Sequence, residues 1–217
     1  SVSGESIRRE LSTIKHIFTV AVERWDYIER NPTAGLVLPK GSPPRTQRYS
    51  DEEIERLLYV SSYHDTLKTV RARTGAAMLF AIETAMRAGE ICGLTWDNVD
   101  FEDRTAYLPI TKNGSSRRVP LSKKAIAILE RLKEEVGNTG TCFQIESKSL
   151  DATFRKLKKM AMCEHLHFHD TRREALTRLA KKVDVMTLAK ISGHKDIRIL
   201  QNVYYAPNMA DIAGLLD

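Results

Sequence analysis

The stretch that decides the fold is Val70–Arg87, VRARTGAAMLFAIETAMR. Val70, Ala77, Met78, Ala81, Ile82 and Ala85 put apolar or small side chains on most faces of a single helix, which predicts a central helix buried on nearly every side. Arg87 follows it directly, at the point where the chain leaves the core. Upstream, Ser50-Asp51-Glu52-Glu53 has the spacing of a capping box and opens a helix carrying Ile54, Leu57 and Leu58, so a compact domain begins here. Downstream, Thr105–Thr111 and Arg117–Leu121 read as two strands joined through Asn113-Gly114, a dipeptide that tolerates the positive φ of a tight hairpin. Lys112 then sits at the hairpin's mouth. The remainder alternates helical patterns at Lys123–Val136, Leu150–Met162, Thr171–Lys182, Val185–Ile191, a short turn before Tyr204, and Met209–Leu216. The fold class expected is α+β, mainly helical, with a small antiparallel sheet.

The N-terminal part is different. Between Ser6 and Arg30, residues Ile7, Leu11, Ile14, Ile17, Phe18, Ala21, Val22, Trp25 and Ile28 recur at helical spacing until Asn31-Pro32 stops the pattern. So broad an apolar stripe expects packing partners outside this sequence. Pro39, Gly41, Pro43 and Pro44 with Arg45 and Arg48 resist regular structure and suit a basic connector. The boundaries expected are 1–38 for a helical remnant, 39–48 for the linker and 49–217 for the compact domain.

Composition narrows the function classes. The chain of 217 residues has 34 Lys and Arg against 28 Asp and Glu, a net charge of +6, which favours a polyanionic partner. Its three cysteines have no C-x-x-C spacing and suit reduced thiols rather than disulfides or zinc ligands. No apolar run is long enough to span a bilayer, so a cytoplasmic protein without a membrane partner is expected.

Chemistry concentrates in the C-terminal half. Two guanidiniums from separate segments, Arg87 and Arg172, could clamp the charge that develops on a phosphodiester under attack. Glu90 would orient them and stay ionised beside them. Lys112 could protonate a departing hydroxyl. A phenol with a pKa of about 10 needs help to attack, with His169 a proton acceptor and His194 a hydrogen-bond donor to the phosphate. Tyr204 and Tyr205 are both candidate nucleophiles. Against this stands a metal-dependent phosphoesterase, because His165, His167 and His169 would share one face of a strand beside Asp170. A DNA-binding protein without chemistry is a third class, using the basic residues only to neutralise phosphates.

Five boxes in this order resemble the tyrosine recombinases of the phage integrase family: Thr84–Ile91 with Leu94, Trp96 and Asp97; Thr111–Gly114 ahead of Arg118-Val119-Pro120-Leu121; His169-Asp170-Thr171-Arg172-Arg173; Ser192–Ile197; and Tyr204. The resemblance covers Arg45 to the C-terminus, and Ser6–Lys40 resembles the end of the family's core-binding domain. It implies Arg87, Lys112, His169, Arg172, His194 and Tyr204 as catalytic residues, with no metal and no cofactor. It also implies double-stranded DNA enclosed by two domains, a 3′-phosphotyrosyl intermediate, and a homotetramer on paired sites that is monomeric without DNA and admits accessory DNA-bending proteins. Cells of bacteria, phage-infected or not, and their nucleoid are the implied setting. A type IB topoisomerase uses similar groups. The sequence departs from the family pattern by one extra residue between His194 and Tyr204, and Ala206 stands where a histidine is usual, which leaves Tyr205 as the alternative nucleophile. Met209, Ile212, Ala213, Leu215 and Leu216 suit a docking helix, on the same chain or on a neighbour.

Overall fold

The computed structural model describes residues 4–40, 45–109 and 116–205. The chain divides into two compact units, Ser1–Thr46 and Gln47–Asp217. In the first, helix α1 spans Gly4–Glu23, seven residues short of the expected end at Arg30. Asp26 takes a left-handed φ of 53°, and Tyr27 returns its N–H to the Ala21 carbonyl, so the chain turns back before the apolar pattern is exhausted. Asn31 then ties the loop to the helix by donating to Thr19 Oγ1.

The second unit is built around α3, Val70–Thr84, with α2 (Asp51–Ser61), α5 (Lys123–Val136), α6 (Ser147–Met160) and α7 (Asp170–Ala180) packed on it. Small side chains make that crowding feasible. Ala72, Ala76, Ala77 and Ala81 are buried, and at Gly75 a Cβ would stand only 2.2 Å from Ser61 Oγ on α2. Ser50 and Glu53 form the expected capping box at the start of α2. Short α4, Ala88–Cys92, follows α3.

The sheet has three antiparallel strands in the order β1 (Val99–Asp100), β2 (Thr105–Leu108) and β3 (Arg117–Pro120). Strand β1 was not expected, because two residues carry no period. Strand β2 stops at Leu108, before Pro109, rather than at Thr111. The register pairs Ala106 with Val119, both buried. Lys112 and the Asn113-Gly114 turn lie outside the described residues, as does the Met209–Leu216 pattern.

Helices α8 (Val185–Ser192) and α9 (Arg198–Tyr204) close the described chain. They join α7 through a second small core of Ala85, Ala175, Leu176, Leu188, Ala189 and Leu200, against which Tyr204 and Tyr205 rest. That core draws the last helix toward the turn after α3. Among the described residues, no helix is long and apolar enough to cross a membrane, and all three cysteines are buried and unpaired.

Candidate active site

Helix α3 ends on Ala85 in the left-handed region, φ 55°, a conformation that costs a residue with a Cβ about 1–2 kcal/mol. The turn is held from outside, since Arg172 of α7 donates to the Ala85 carbonyl. It carries the chain through Met86 into Arg87, which stands at the N-terminal cap of α4. One helical turn on, Glu90 takes the Arg87 N–H at 2.8 Å and the Arg87 guanidinium at 2.9 Å.

Glu90 has a second cationic partner. Arg117 of β3 forks onto both its oxygens at 2.9 and 2.7 Å and donates its Nε–H to the Ile191 carbonyl in α8 at 2.9 Å. Burial pushes the Glu90 carboxyl up, but the hydrogen bonds and charges of Arg117 and Arg87 outweigh it and hold the group at about 2. One carboxylate thereby joins α4, β3 and α8.

Arg172 is 4% exposed and does not pair with Glu174, its helical neighbour, which is held by Arg48 and Arg178 instead. Its second amino group donates to the Ser192 carbonyl at 2.6 Å. Burial lowers its pKa to about 10, with Arg87 and Arg117 as like charges adding to the shift and Glu90 opposing it. The guanidinium stays charged at neutral pH. A cation kept buried beside two others is a preformed anion site.

His194 follows Gly193, whose φ of 70° ends α8 in the left-handed turn that aims the next residue back toward the core. Burial, then Arg172, Arg87 and Arg117, hold its imidazole down at about 4. Its Nδ1 lies 2.7 Å from Ser192 Oγ. Tyr204 is half-buried, and burial raises its phenol while Arg173 and Arg172 pull the other way. The Arg173 guanidinium sits 5.8 Å from the ring centre. The Tyr205 hydroxyl instead donates to the Val183 carbonyl.

His169 is exposed at the start of α7 and lines a hollow of about 420 Å³ together with Arg87 and Arg172. Arg87, Glu90, His169, Arg172, His194 and Tyr204 are thus gathered from four separate segments, and Lys112 falls outside the described residues. The segment with the three histidines is not a strand. It is a run of turns in which Leu166 and Phe168 enter the core, Asp170 returns its N–H to His167, and Lys158 donates to the Glu164 and Leu166 carbonyls. His165 pairs with Glu53 at 2.8 Å. Among the described residues, no three His, Cys, Asp or Glu side chains are placed to hold a metal ion.

Two residues of this constellation, Arg117 and Ser192, were not singled out from the sequence. For Arg117 a signal existed: on β3 it is two residues from buried Val119, so alternation puts it on the inner face and Arg118 on the outer. For Ser192 nothing local distinguished it from a helix-end serine.

The profile of the phage integrase family matches residues 47–211. The chain is 69% identical, over its whole length and 71% of the relative's, to a putative integrase/recombinase of Haemophilus influenzae. It is 34% identical to the shufflon-specific DNA recombinase of Escherichia coli, covering 92% of this chain and only half of that protein. In fold it is similar to the Tn1549 transposon integrase solved in complex with circular intermediate DNA, with a TM-score of 0.74 at 20% identity, over all of this chain and 80% of that one. An order of boxes, a mainly helical domain with a three-stranded sheet and a matching profile agree, and the chain belongs to the phage integrase family, the tyrosine recombinases that cut and rejoin DNA through a phosphotyrosyl intermediate.

Proposed function

We propose that this chain carries the catalytic machinery of a site-specific DNA recombinase of the integrase type, acting on duplex DNA by transesterification. The observation that supports it best is that Arg87, His194 and Tyr204, from three other segments, all lie within electrostatic reach of the buried Arg172 guanidinium.

In this reading the Tyr204 oxygen attacks the scissile phosphorus, and the bond to the 5′ oxygen breaks as the 3′-phosphotyrosyl bond forms. Arg87 and Arg172 neutralise the non-bridging oxygens, which carry the developing charge. His169, at the rim of the same hollow, receives the phenolic proton, and Lys112 gives one to the departing 5′ oxygen, which leaves as a hydroxyl. His194 donates to a phosphate oxygen. A 5′-hydroxyl from the partner strand then attacks the phosphotyrosyl bond, releasing Tyr204. The energy of the broken phosphodiester is kept in the intermediate, so nucleotide hydrolysis is not needed. Residues 1–38 serve as the end of a core-binding domain, 39–48 as its linker, and 49–217 as the catalytic domain. Assembly is a homotetramer on two paired sites in the bacterial cytoplasm, at the nucleoid, with accessory DNA-bending proteins where the element uses them.

Incubating the chain with nicked duplexes carrying candidate sites, with and without excess chelator, tests this. A covalent protein–DNA band on denaturing gels, unchanged by chelator, is expected. Salt-sensitive binding without a band at a site that the protein demonstrably recognises would reduce the chain to a DNA-binding module, and loss of the band with chelator would revive metal chemistry.

A further inference from the structure

Ser192 is the last residue of α8, fully buried, and the transesterification above makes no use of it. Its Oγ lies 2.6 Å from the Leu188 carbonyl oxygen and 2.7 Å from His194 Nδ1. A hydroxyl owns one hydrogen. Two oxygens this close repel unless that hydrogen lies between them, so Ser192 donates to Leu188, one turn back along the helix. The Oγ lone pair then faces Nδ1, and this second contact is favourable only if Nδ1 carries the imidazole's hydrogen. Nε2 of the neutral ring is left with a bare lone pair.

The surroundings resist a second proton. Arg87 at the entry to α4, Arg117 on β3 and Arg172 on α7 all raise the cost of charging the ring. Arg118, Lys190 and Lys195 border the same hollow as His194. The acids nearby are already engaged, Glu90 by Arg87 and Arg117, and Asp196 by Arg198. Yet a bare lone pair set against a phosphate oxygen is repulsive, whereas a protonated ring would give a charge-assisted hydrogen bond.

We propose that Ser192 is a positioning residue that presets His194 as its Nδ1–H form, so that the ring must take a proton from solvent onto Nε2 to receive the scissile phosphate. This deepens the recombinase reading and rests on it only in taking the bound anion to be a phosphodiester. The consequence is a site that carries its full positive charge only when an anion is present. Sign follows from linkage: the binding-competent ring is the protonated one, so affinity for an anion falls as pH rises above about 4, by up to tenfold per unit, until the pKa in the complex is passed.

The test uses the whole chain, ¹⁵N-histidine NMR, and sulfate as the probe because its charge is constant from about pH 5 to 7. Expected are the Nδ1–H form of His194 in the parent protein and sulfate affinity that drops several-fold per pH unit. Ser192→Ala should move the ring toward Nε2–H and flatten the slope, and Ser192→Thr, which keeps a hydroxyl, should restore both. His169 borders the adjoining hollow, so the difference between parent and Ser192→Ala is what is read. Nε2–H in the parent, no sulfate binding, or an alanine variant with the same tautomer and slope would overturn the proposal. Failure of the chain to cleave DNA would strike the recombinase reading alone and leave these results standing.

Discussion

Tyr204→Phe is expected to leave a folded, DNA-binding protein that forms no covalent adduct on a nicked substrate, a loss of at least about 10⁴-fold in adduct rate. The argument is one of oxygen supply. An arginine clamp and two imidazoles can bind and polarise a phosphate, but without the phenolic oxygen no protein atom is left to hold the 3′ phosphate. Tyr204 is half-buried beside Arg172, and its ring lies under Arg173, so two cations favour the phenolate that burial alone would oppose. Tyr205 is placed otherwise. Its hydroxyl gives its hydrogen to the Val183 carbonyl, and burial together with the Asp184 charge raises its pKa. Tyr205→Phe should therefore keep the adduct and lose about 1 kcal/mol of stability, the worth of one hydrogen bond. Peptide mapping of the adduct gives the same answer independently. If Tyr205→Phe abolishes the band while Tyr204→Phe retains it, the nucleophile is Tyr205, and α9 must rearrange on DNA.

The elements around that site differed in how legible they were in the sequence. The buried character of α3 was plain because its small and apolar residues leave no polar stripe, and the capping box of α2 was plain because its bonds are local. Helices α7 and α8 were readable from their apolar spacing. Other features depend on partners distant in sequence. Strand β1 is two residues long and exists only because β2 lies beside it. The histidine segment alternates like a strand, yet among the described residues no strand pairs with it, and its backbone makes turn hydrogen bonds instead. At the site itself, the arginines, histidines and tyrosine were visible as boxes in a familiar order. What no box displays is the wiring between them: that Glu90 answers two arginines rather than one, and that one of these, Arg117, also donates to the Ile191 carbonyl. Those are facts of convergence between α4, β3 and α8, elements joined by loops the sequence cannot orient.

Glu90→Gln tests that wiring, and it is expected to cost about 3–5 kcal/mol, a large share of the stability of an ordinary domain. The Glu90 and Arg117 side chains are 8% and 7% exposed, so removing the charge leaves a guanidinium buried with nothing to balance it. The pH dependence has a definite sign. The folded pKa of about 2 lies below the ordinary 4.5, so the carboxylate's contribution is complete above about pH 4.5 and is lost as pH falls toward 2. The shift corresponds to about 3 kcal/mol, and the glutamine variant should lack that portion of the acid limb when urea midpoints are compared across pH. Adduct formation should fall by about 10²-fold as well, because Arg87 loses the partner that aims it. Stability and aim can then be separated by a double replacement, Glu90→Leu with Arg117→Met. An apolar pair of similar volume should recover most of the lost stability, since a buried ion pair holds little advantage over good packing. It should not recover the adduct, because Arg87 still has no carboxylate to hold it. Full recovery of both would mean that the Glu90–Arg117 pair serves the fold alone. A glutamine variant as stable as its parent would mean that water reaches Arg117, and that the three-element junction is looser than its geometry implies.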